Sequence, residues 1–186
     1  MDRAAAANAI DAFLRAIGRD ATKEPDLAGT GARVADAFAD ELCAGYAVDA
    51  RALVEKHAMD ASGEAPSIVL VRDIPVVTTC PHHLMPAVGT ADVALSAKKR
   101  IVGIGAIGEI VDAHARRLTL QEHIGERVVS DLDAVLAPQW VFCRILLSHG
   151  CMVARGSRPI GTKVETMALR RVDAATATTI LGGHSS

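Results

Sequence analysis

Aromatic residues are scarce in this chain, making up only 3% of its 186 residues, with one Trp, one Tyr and three Phe. A hydrophobic fraction of 50% still supplies enough apolar side chains for a core, which must be built from Ala, Val, Leu and Ile. This composition excludes a disordered tail or a coiled-coil rod, and the length suits one compact domain with an added helical part.

Long hydrophobic runs and an excess of basic residues are also missing. No apolar run approaches the roughly 20 residues that cross a bilayer, and the first residues contain no apolar signal-peptide segment. With 20 Lys and Arg against 22 Asp and Glu, the formal net charge of -2 disfavours a protein that binds nucleic acid by neutralising phosphates. We therefore expect a cytoplasmic protein that binds neither membrane nor nucleic acid.

Cysteine is rare as well, and four residues in such a chain do not predict a disulfide framework. Cys43 lies in an Ala-rich helical stretch and Cys143 alternates with apolar residues, so both are interpreted as small buried side chains. Cys80 and Cys151 each lie close to histidine, which suggests a different role.

Hydrophobic periodicity predicts an α+β protein in which helices precede a sheet. Apolar positions at helical spacing predict helices over 2–18, 31–43, 49–57, 106–118 and 122–136. Runs rich in Ile and Val, or alternating runs, predict strands over 67–79, 86–97, 140–153 and 162–171. A break at 62–66 precedes this β-β-α-α-β-β unit, whose four strands are expected to form an antiparallel sheet. The expected domains are an N-terminal helical region of 1–61, a sheet domain of 62–171 and a loosely ordered tail of 172–186.

Two Cys/His clusters carry the strongest chemical signal. Cys80-Pro81-His82-His83 falls between the first two predicted strands, and Cys-x-x-His lets a thiolate and an imidazole reach one ion from a single turn. His149-Gly150-Cys151 falls near the end of the third long strand, where residues two apart are expected to point to the same face. Cys-x-x-His alone is a weak signal, but two clusters at the ends of neighbouring strands favour a metal site.

Three protein ligands with an open fourth position are typical of a catalytic zinc site. The best set is Cys80, His83 and Cys151, which leaves His82 and His149 as imidazoles suited to proton transfer near neutral pH. Zn²⁺ in such a site lowers the pKa of its bound water towards about 7, which would supply hydroxide for a hydrolysis.

Two further features leave alternatives open. Gln121-Glu122 begins a predicted helix, where an acidic residue complements the helix dipole; a carboxylate here would also accept two hydrogen bonds from the adjacent N–H donors of guanine. Arg155 follows Cys151 by four residues, and it is either a solvated surface residue or a ligand for an anion.

These segments resemble the GTP cyclohydrolase I family of the tunnelling fold. The resemblance covers about residues 22–170 and rests mainly on Cys80-Pro81-His82-His83-Leu84-Met85-Pro86, Ala115-Arg116-Arg117-Leu118, Gln121-Glu122 and His149-Gly150-Cys151-Met152-Val153-Ala154-Arg155-Gly156. It implies Cys80, His83 and Cys151 as zinc ligands, His82 and His149 as catalytic histidines, Gln121 and Glu122 as the guanine-binding pair, and Arg33 and Arg155 as ligands of the triphosphate.

The resemblance also implies an activity and an assembly. In the family, a zinc-bound water attacks C8 of GTP, the imidazole ring opens and formate leaves. An Amadori rearrangement and ring closure then give 7,8-dihydroneopterin triphosphate. The family forms a homodecameric ring with each site shared between subunits, which suits a sheet too small to close alone.

The sequence departs from the family pattern in the segment that binds phosphate. The family has Gly-Leu-Ser-Lys there, with an arginine three residues after the lysine, whereas this chain has Gly105, Ala106 and Glu109 at the Ser, Lys and Arg positions. Two positive charges are lost and one negative charge is gained. Hydrogen bonds to charged groups contribute roughly 1.5–3 kcal/mol each, so this loss opposes tight GTP binding. Pro81 also replaces a family glutamate, but that residue is not a ligand and only a local change is expected.

Three functions follow from these observations. The first is a GTP cyclohydrolase I with a rebuilt phosphate site. The second is a paralogous purine-ring hydrolase that takes a guanine substrate with fewer phosphates. The third is a catalytically silent zinc-binding ring protein, which the two spare histidines and Glu122 disfavour.

Overall fold

The computed structural model describes residues 1–61, 68–155 and 161–182, so the expected break at 62–66 lies outside the described residues. The helices are α1 (Arg3–Ala16), α2 (Thr30–Ala37), α3 (Ala50–His57), α4 (Ile104–Ala115), α5 (Gln121–Leu136), α6 (Gly150–Val153) and α7 (Ala174–Gly182). The strands are β1 (Ala58–Asp60), β2 (Ile68–Thr79), β3 (Pro86–Ser96), β4 (Arg100–Val102), β5 (Trp140–His149) and β6 (Val164–Arg170). Across these ranges no helix is long and apolar enough to cross a membrane.

The chain forms two compact units, Met1–Ala44 and Gly45–Ser186. In the first unit α1 packs on α2, and Arg3 of α1 pairs with Asp36 through an Nη1–Oδ1 contact of 2.8 Å. The helix predicted over 31–43 is divided, because α2 ends at Ala37 and a π-helical turn continues to Leu42. The expected N-terminal region of 1–61 extends past this unit, since α3 packs with α4 and α5 in the second unit.

The four long strands form one antiparallel sheet in the order β2-β3-β5-β6, which confirms the predicted α+β fold and its antiparallel sheet. Thr79 pairs with Pro86 across the first hairpin, and Ala87 pairs with His149 on the next strand. The two Cys/His segments therefore lie at the same end of neighbouring strands. Two three-residue strands, β1 and β4, form a separate antiparallel pair that the sequence did not reveal.

The two faces of the sheet bury different sets of residues. Alternate residues of β5 enter the main core with α4 and α5, as the sequence predicted; they are Val141, Cys143, Ile145 and Leu147. The opposite face of β5 contributes Phe142, which packs with Ala94 and with Ala177 of α7. This alternation follows from the period of two in a strand.

Two expectations about the end of the chain were wrong. The strand predicted over 140–153 ends at His149, and Gly150–Val153 forms a helical turn instead. The loosely ordered tail predicted over 172–186 contains α7. Asp173 accepts a hydrogen bond from the Thr176 backbone N–H at 2.8 Å, which satisfies a free donor of the first turn, and Ala177 is fully buried against the sheet.

Candidate functional site

The Cys80–Met85 loop connects β2 to β3 and is closed by its own backbone. The Leu84 N–H donates to the Cys80 carbonyl at 2.9 Å, and the Cys80 N–H donates to the Met85 carbonyl at 3.0 Å. These bonds fix Cys80 at the base of the loop, where it is 8% exposed. His82 and His83 are exposed, with ring centroids 6.4 Å apart and planes at 83°.

The end of β5 brings the second Cys/His segment against this loop. A Cβ on Gly150 would lie 2.8 Å from the Pro86 carbonyl oxygen, so only glycine permits this approach of the two backbones. The inference that His149 and Cys151 share one face of a strand is wrong, because β5 ends at His149 and Cys151 lies in α6. The helical turn nevertheless leaves both residues beside one cavity.

The start of α5 completes the same site. The Thr119 N–H donates to the Thr79 carbonyl at 3.2 Å, which ties the residues before α5 to the end of β2. This contact places the first turn of α5, with Gln121 and Glu122, next to the Cys80 loop.

A cavity of about 240 Å³ lies between these three segments, and its lining includes Cys80, His82, Gln121, Glu122, His149 and Cys151. Six of the nine predicted site residues are thus brought together from the Cys80–Met85 loop, the end of β5, α6 and the start of α5. Four come from the paired Cys/His clusters, and two come from the start of a helix. The cavity can accommodate a small polar ligand beside two thiols, two imidazoles and a carboxylate.

Three predicted site residues do not line this cavity. His83 lies on the same loop as Cys80 but is not part of the lining. Arg155 is exposed and follows α6, also outside the lining. Arg33 belongs to the N-terminal unit, where it donates to the Ala28 carbonyl at 2.7 Å and to Thr30 Oγ1 at 2.9 Å.

The expected zinc ligands fit a metal only in part. The Cys80 and Cys151 thiols are free and line one cavity, a donor pair suited to zinc. Within 1–61, 68–155 and 161–182, however, no three His, Cys, Asp or Glu side chains are arranged to hold a metal ion. The geometry therefore brings together two of the three expected ligands.

Gln121 is buried at 3% exposure, and its amide group is fully engaged. Its Nε2 lies 3.0 Å from the carbonyl oxygens of Ile145 and Val164 and 3.1 Å from Thr166 Oγ1. Its Oε1 lies 2.8 Å from His149 Nε2. The side chain has no N–H left to contact guanine. Glu122, by contrast, is exposed at the cavity, and its carboxylate can accept hydrogen bonds there.

The segment that departs from the family pattern forms the start of α4. Gly105 and Glu109 are exposed, whereas Ala106 is 5% exposed and belongs to the main core. The positions that carry Ser and Arg in the family therefore face solvent here, and the lysine position is occupied by a core methyl group.

Sequence reasoning missed three residues around the cavity. Thr78 and Thr119 line it, and Thr166 holds the amide of Gln121. The only local signal was the Thr78-Thr79 pair directly before Cys80. The roles of Thr119 and Thr166 follow from their three-dimensional contacts alone.

The chain is similar in sequence to proteins of one known enzyme family. A family model described as GTP cyclohydrolase I matches residues 6–179. GTP cyclohydrolase 1 of Leifsonia xyli is 34% identical over 169 residues, covering 91% of this chain and 87% of that protein. GTP cyclohydrolase 1 of Leptospira biflexa is 36% identical over 162 residues, covering 87% and 86% respectively. The same enzyme of Thermoanaerobacter pseudethanolicus is 35% identical over 173 residues, covering 92% and 89%.

A comparison of structures gives a more distant similarity. The archaeosine synthase QueF-Like in its apo form is 18% identical with a TM-score of 0.47, covering 59% of this chain and 99% of that one. The family match extends over nearly the whole chain, and the three relatives are 34%, 36% and 35% identical to it. On this evidence the chain belongs to the GTP cyclohydrolase I family of enzymes.

Proposed function

We propose that this protein opens the imidazole ring of GTP at C8, releases formate and forms 7,8-dihydroneopterin triphosphate. The observation that carries the proposal is the cavity in which His82, His149 and Glu122 lie beside the Cys80 and Cys151 thiols, in a chain of this family. Hydrolysis of the two C8–N bonds consumes two molecules of water. The later ring closure releases one, so one molecule of water is consumed overall. In this proposal residues 62–171 carry the catalysis.

Glu122 is the residue best suited to bind the base. Its carboxylate lies in the first turn of α5, is exposed and lines the cavity. A carboxylate accepts two hydrogen bonds from the adjacent N–H groups of guanine, and such charged bonds contribute roughly 1.5–3 kcal/mol each.

His82 and His149 are suited to move the protons of the hydrolysis. They enter the cavity from different segments, the Cys80–Met85 loop and the end of β5. Two imidazoles from separate directions allow one to accept a proton from the attacking water while the other donates a proton to a departing ring nitrogen.

Zinc is part of the same proposal, with Cys80, His83 and Cys151 as its ligands. Support comes from the free thiols that share the cavity and from family membership. When bound to such a donor set, zinc makes water acidic enough to supply hydroxide near neutral pH. The four free cysteines also support the cytoplasmic location expected from the sequence, since thiols stay reduced there.

We also propose a homodecamer whose sites lie between subunits. Within the described residues, β2 and β6 are the outer strands of the sheet and each pairs on one side only. Ile68 and Val77 of β2 and Val88 of β3 are exposed apolar residues. An outer strand with one unpaired side favours pairing with another chain, and exposed apolar side chains favour burial against one. Arg33 and Arg155 would hold the triphosphate in that assembly.

A second candidate substrate is a guanine compound with fewer phosphates. The observation that favours it is the start of α4, where Glu109 is exposed and Ala106 is buried. An exposed carboxylate repels phosphate, and a buried methyl group offers it no hydrogen bond.

One experiment separates the candidates. Protein reconstituted with zinc is incubated in parallel with GTP, GDP, GMP and guanosine, and formate release and pterin fluorescence are measured. Formate and a fluorescent pterin from GTP support the proposed activity. Turnover confined to GDP, GMP or guanosine supports the second substrate class, and zinc binding without formate from any of the four leaves only the silent ring protein.

A further inference from the structure

The hydrogen bonds around Gln121 determine which way its amide faces. Two of the three partners of Nε2 are backbone carbonyl oxygens, those of Ile145 and Val164, each 3.0 Å away. Carbonyl oxygens only accept, so the group facing them must be the N–H₂ of the amide. In the opposite orientation, Oε1 of Gln121 would face the carbonyl oxygens of Ile145 and Val164, and none of these three oxygens can donate a hydrogen bond. The amide oxygen Oε1 therefore faces His149.

This orientation has a consequence for the histidine. Oε1 can only accept, and it lies 2.8 Å from His149 Nε2, so Nε2 must carry the proton. In a neutral imidazole with its proton on Nε2, the lone pair belongs to Nδ1. We propose that Gln121 is a positioning residue that holds His149 in this tautomer and orientation for proton transfer at Nδ1, an inference that rests on the proposed function.

The burial of Gln121 explains why it is suited to this role. Its side chain is almost completely buried, at 3% exposure, and its partners come from β5, the first residue of β6 and Thr166 within β6. Each anchor belongs to the four-stranded sheet, so the amide and the imidazole ring are held by a rigid element. Gln121 therefore acts on the reaction through His149 and makes no side-chain contact with guanine.

The proposal predicts a separation between binding and rate. Gln121→Met keeps the length of the side chain but removes every hydrogen bond. We expect kcat to fall at least about tenfold and by no more than in His149→Ala, because general acid–base catalysis contributes roughly 10²–10⁴-fold. Equilibrium binding of GTP should stay within about threefold of the unmodified protein, since no guanine contact is lost.

A double-mutant cycle tests whether Gln121 works through His149. Adding Gln121→Met to His149→Ala should change kcat less than about threefold, because the ring that Gln121 positions is already absent. A further tenfold loss, or GTP binding weakened in both backgrounds, would show that Gln121 contacts the substrate and would overturn the proposal. Gln139→Met is the matched control: it makes the same substitution at an exposed glutamine outside the cavity lining, so kcat should remain within about threefold.

Neutron crystallography of the deuterated, unmodified protein gives a readout that needs neither a variant nor activity. Deuterium on Nε2 of His149 with a bare Nδ1 supports the proposal, and any other occupancy overturns it. If no guanine compound yields formate, the proposed function fails, yet the neutron map still decides the tautomer. The two failures are therefore distinguishable.

Discussion

Gly150→Ala tests how closely the two halves of the cavity are packed. The new Cβ would lie 2.8 Å from the Pro86 carbonyl oxygen, with Met85 Cβ at 3.5 Å and Pro86 Cδ at 3.6 Å. The contact is to a backbone atom, so it cannot be relieved by a side-chain rotation. Overpacking of this kind costs about 1–3 kcal/mol, which corresponds to a melting temperature lower by about 2–12 °C in a chain of this size.

The same contact lies between two residues of the proposed site. His149 and Cys151 flank Gly150, so a backbone shift there moves an imidazole and a thiol together. A displacement of 1 Å in an active site can lower the rate about 10²-fold. We therefore expect a loss of formate production in addition to the loss of stability.

Gly108→Ala is the matched control, because it makes the same substitution inside a helix without a contact. A Cβ on Gly108 meets nothing within 4 Å, and replacing glycine within a helix stabilises by about 0.5–1 kcal/mol. Urea denaturation followed by circular dichroism measures both variants. The reasoning is refuted if Gly150→Ala is as stable as the unmodified protein or more stable.

Three further predictions address the zinc ligands, the binding of guanine, and the contact between His114 of α4 and Asp131 of α5. Cys151→Ala should lose zinc and activity together, whereas His149→Ala should keep zinc and lose rate. Elemental analysis measures the zinc content and a formate assay measures the rate. Zinc retained by Cys151→Ala contradicts the ligand assignment. Glu122→Gln should raise the KM for the guanine substrate about 10- to 100-fold with unchanged metal content, and an unchanged KM would leave Glu122 a helix-start residue. His114 is 5% exposed, and burial lowers its pKa despite the Asp131 carboxylate 2.8 Å from Nε2. The folded state then binds fewer protons than the unfolded state between the lowered pKa and about pH 6.5, so stability falls as the pH drops across that range. His114→Gln, which does not titrate, should reduce this loss in denaturation measured at pH 7.5 and pH 5.5.

The sequence predicted the sheet well because each long strand carries its own pattern. β3 was expected over 86–97 from Val88, Val93 and Leu95, although Gly89 weakens the alternation, and it occupies Pro86–Ser96. β1 and β4 were not predicted, because three residues are too few to show a period of two. Their pairing depends on residues about forty positions apart.

Errors occurred where tertiary contacts override the local pattern. Apolar residues continue past His149, but the approach of Gly150 to the Pro86 carbonyl coincides with the point at which the strand gives way to a helical turn. The small residues of 172–186 suggested a loose tail, although Asp173 and Ala177 provide a helix cap and a buried contact. The role of Gln121 depends on partners 24 to 45 residues away, which no local pattern contains.

The burial of Ala106 limits where basic side chains can be introduced at the start of α4. A lysine introduced there would carry an ammonium group into the packed interior beneath α4, where an unpaired charge is strongly penalised. Gly105 and Glu109, both exposed, can accept basic side chains at little cost. Basic side chains that bind an anion at the start of α4 can therefore be introduced at 105 and 109, whereas a lysine at 106 alone would destabilise the fold.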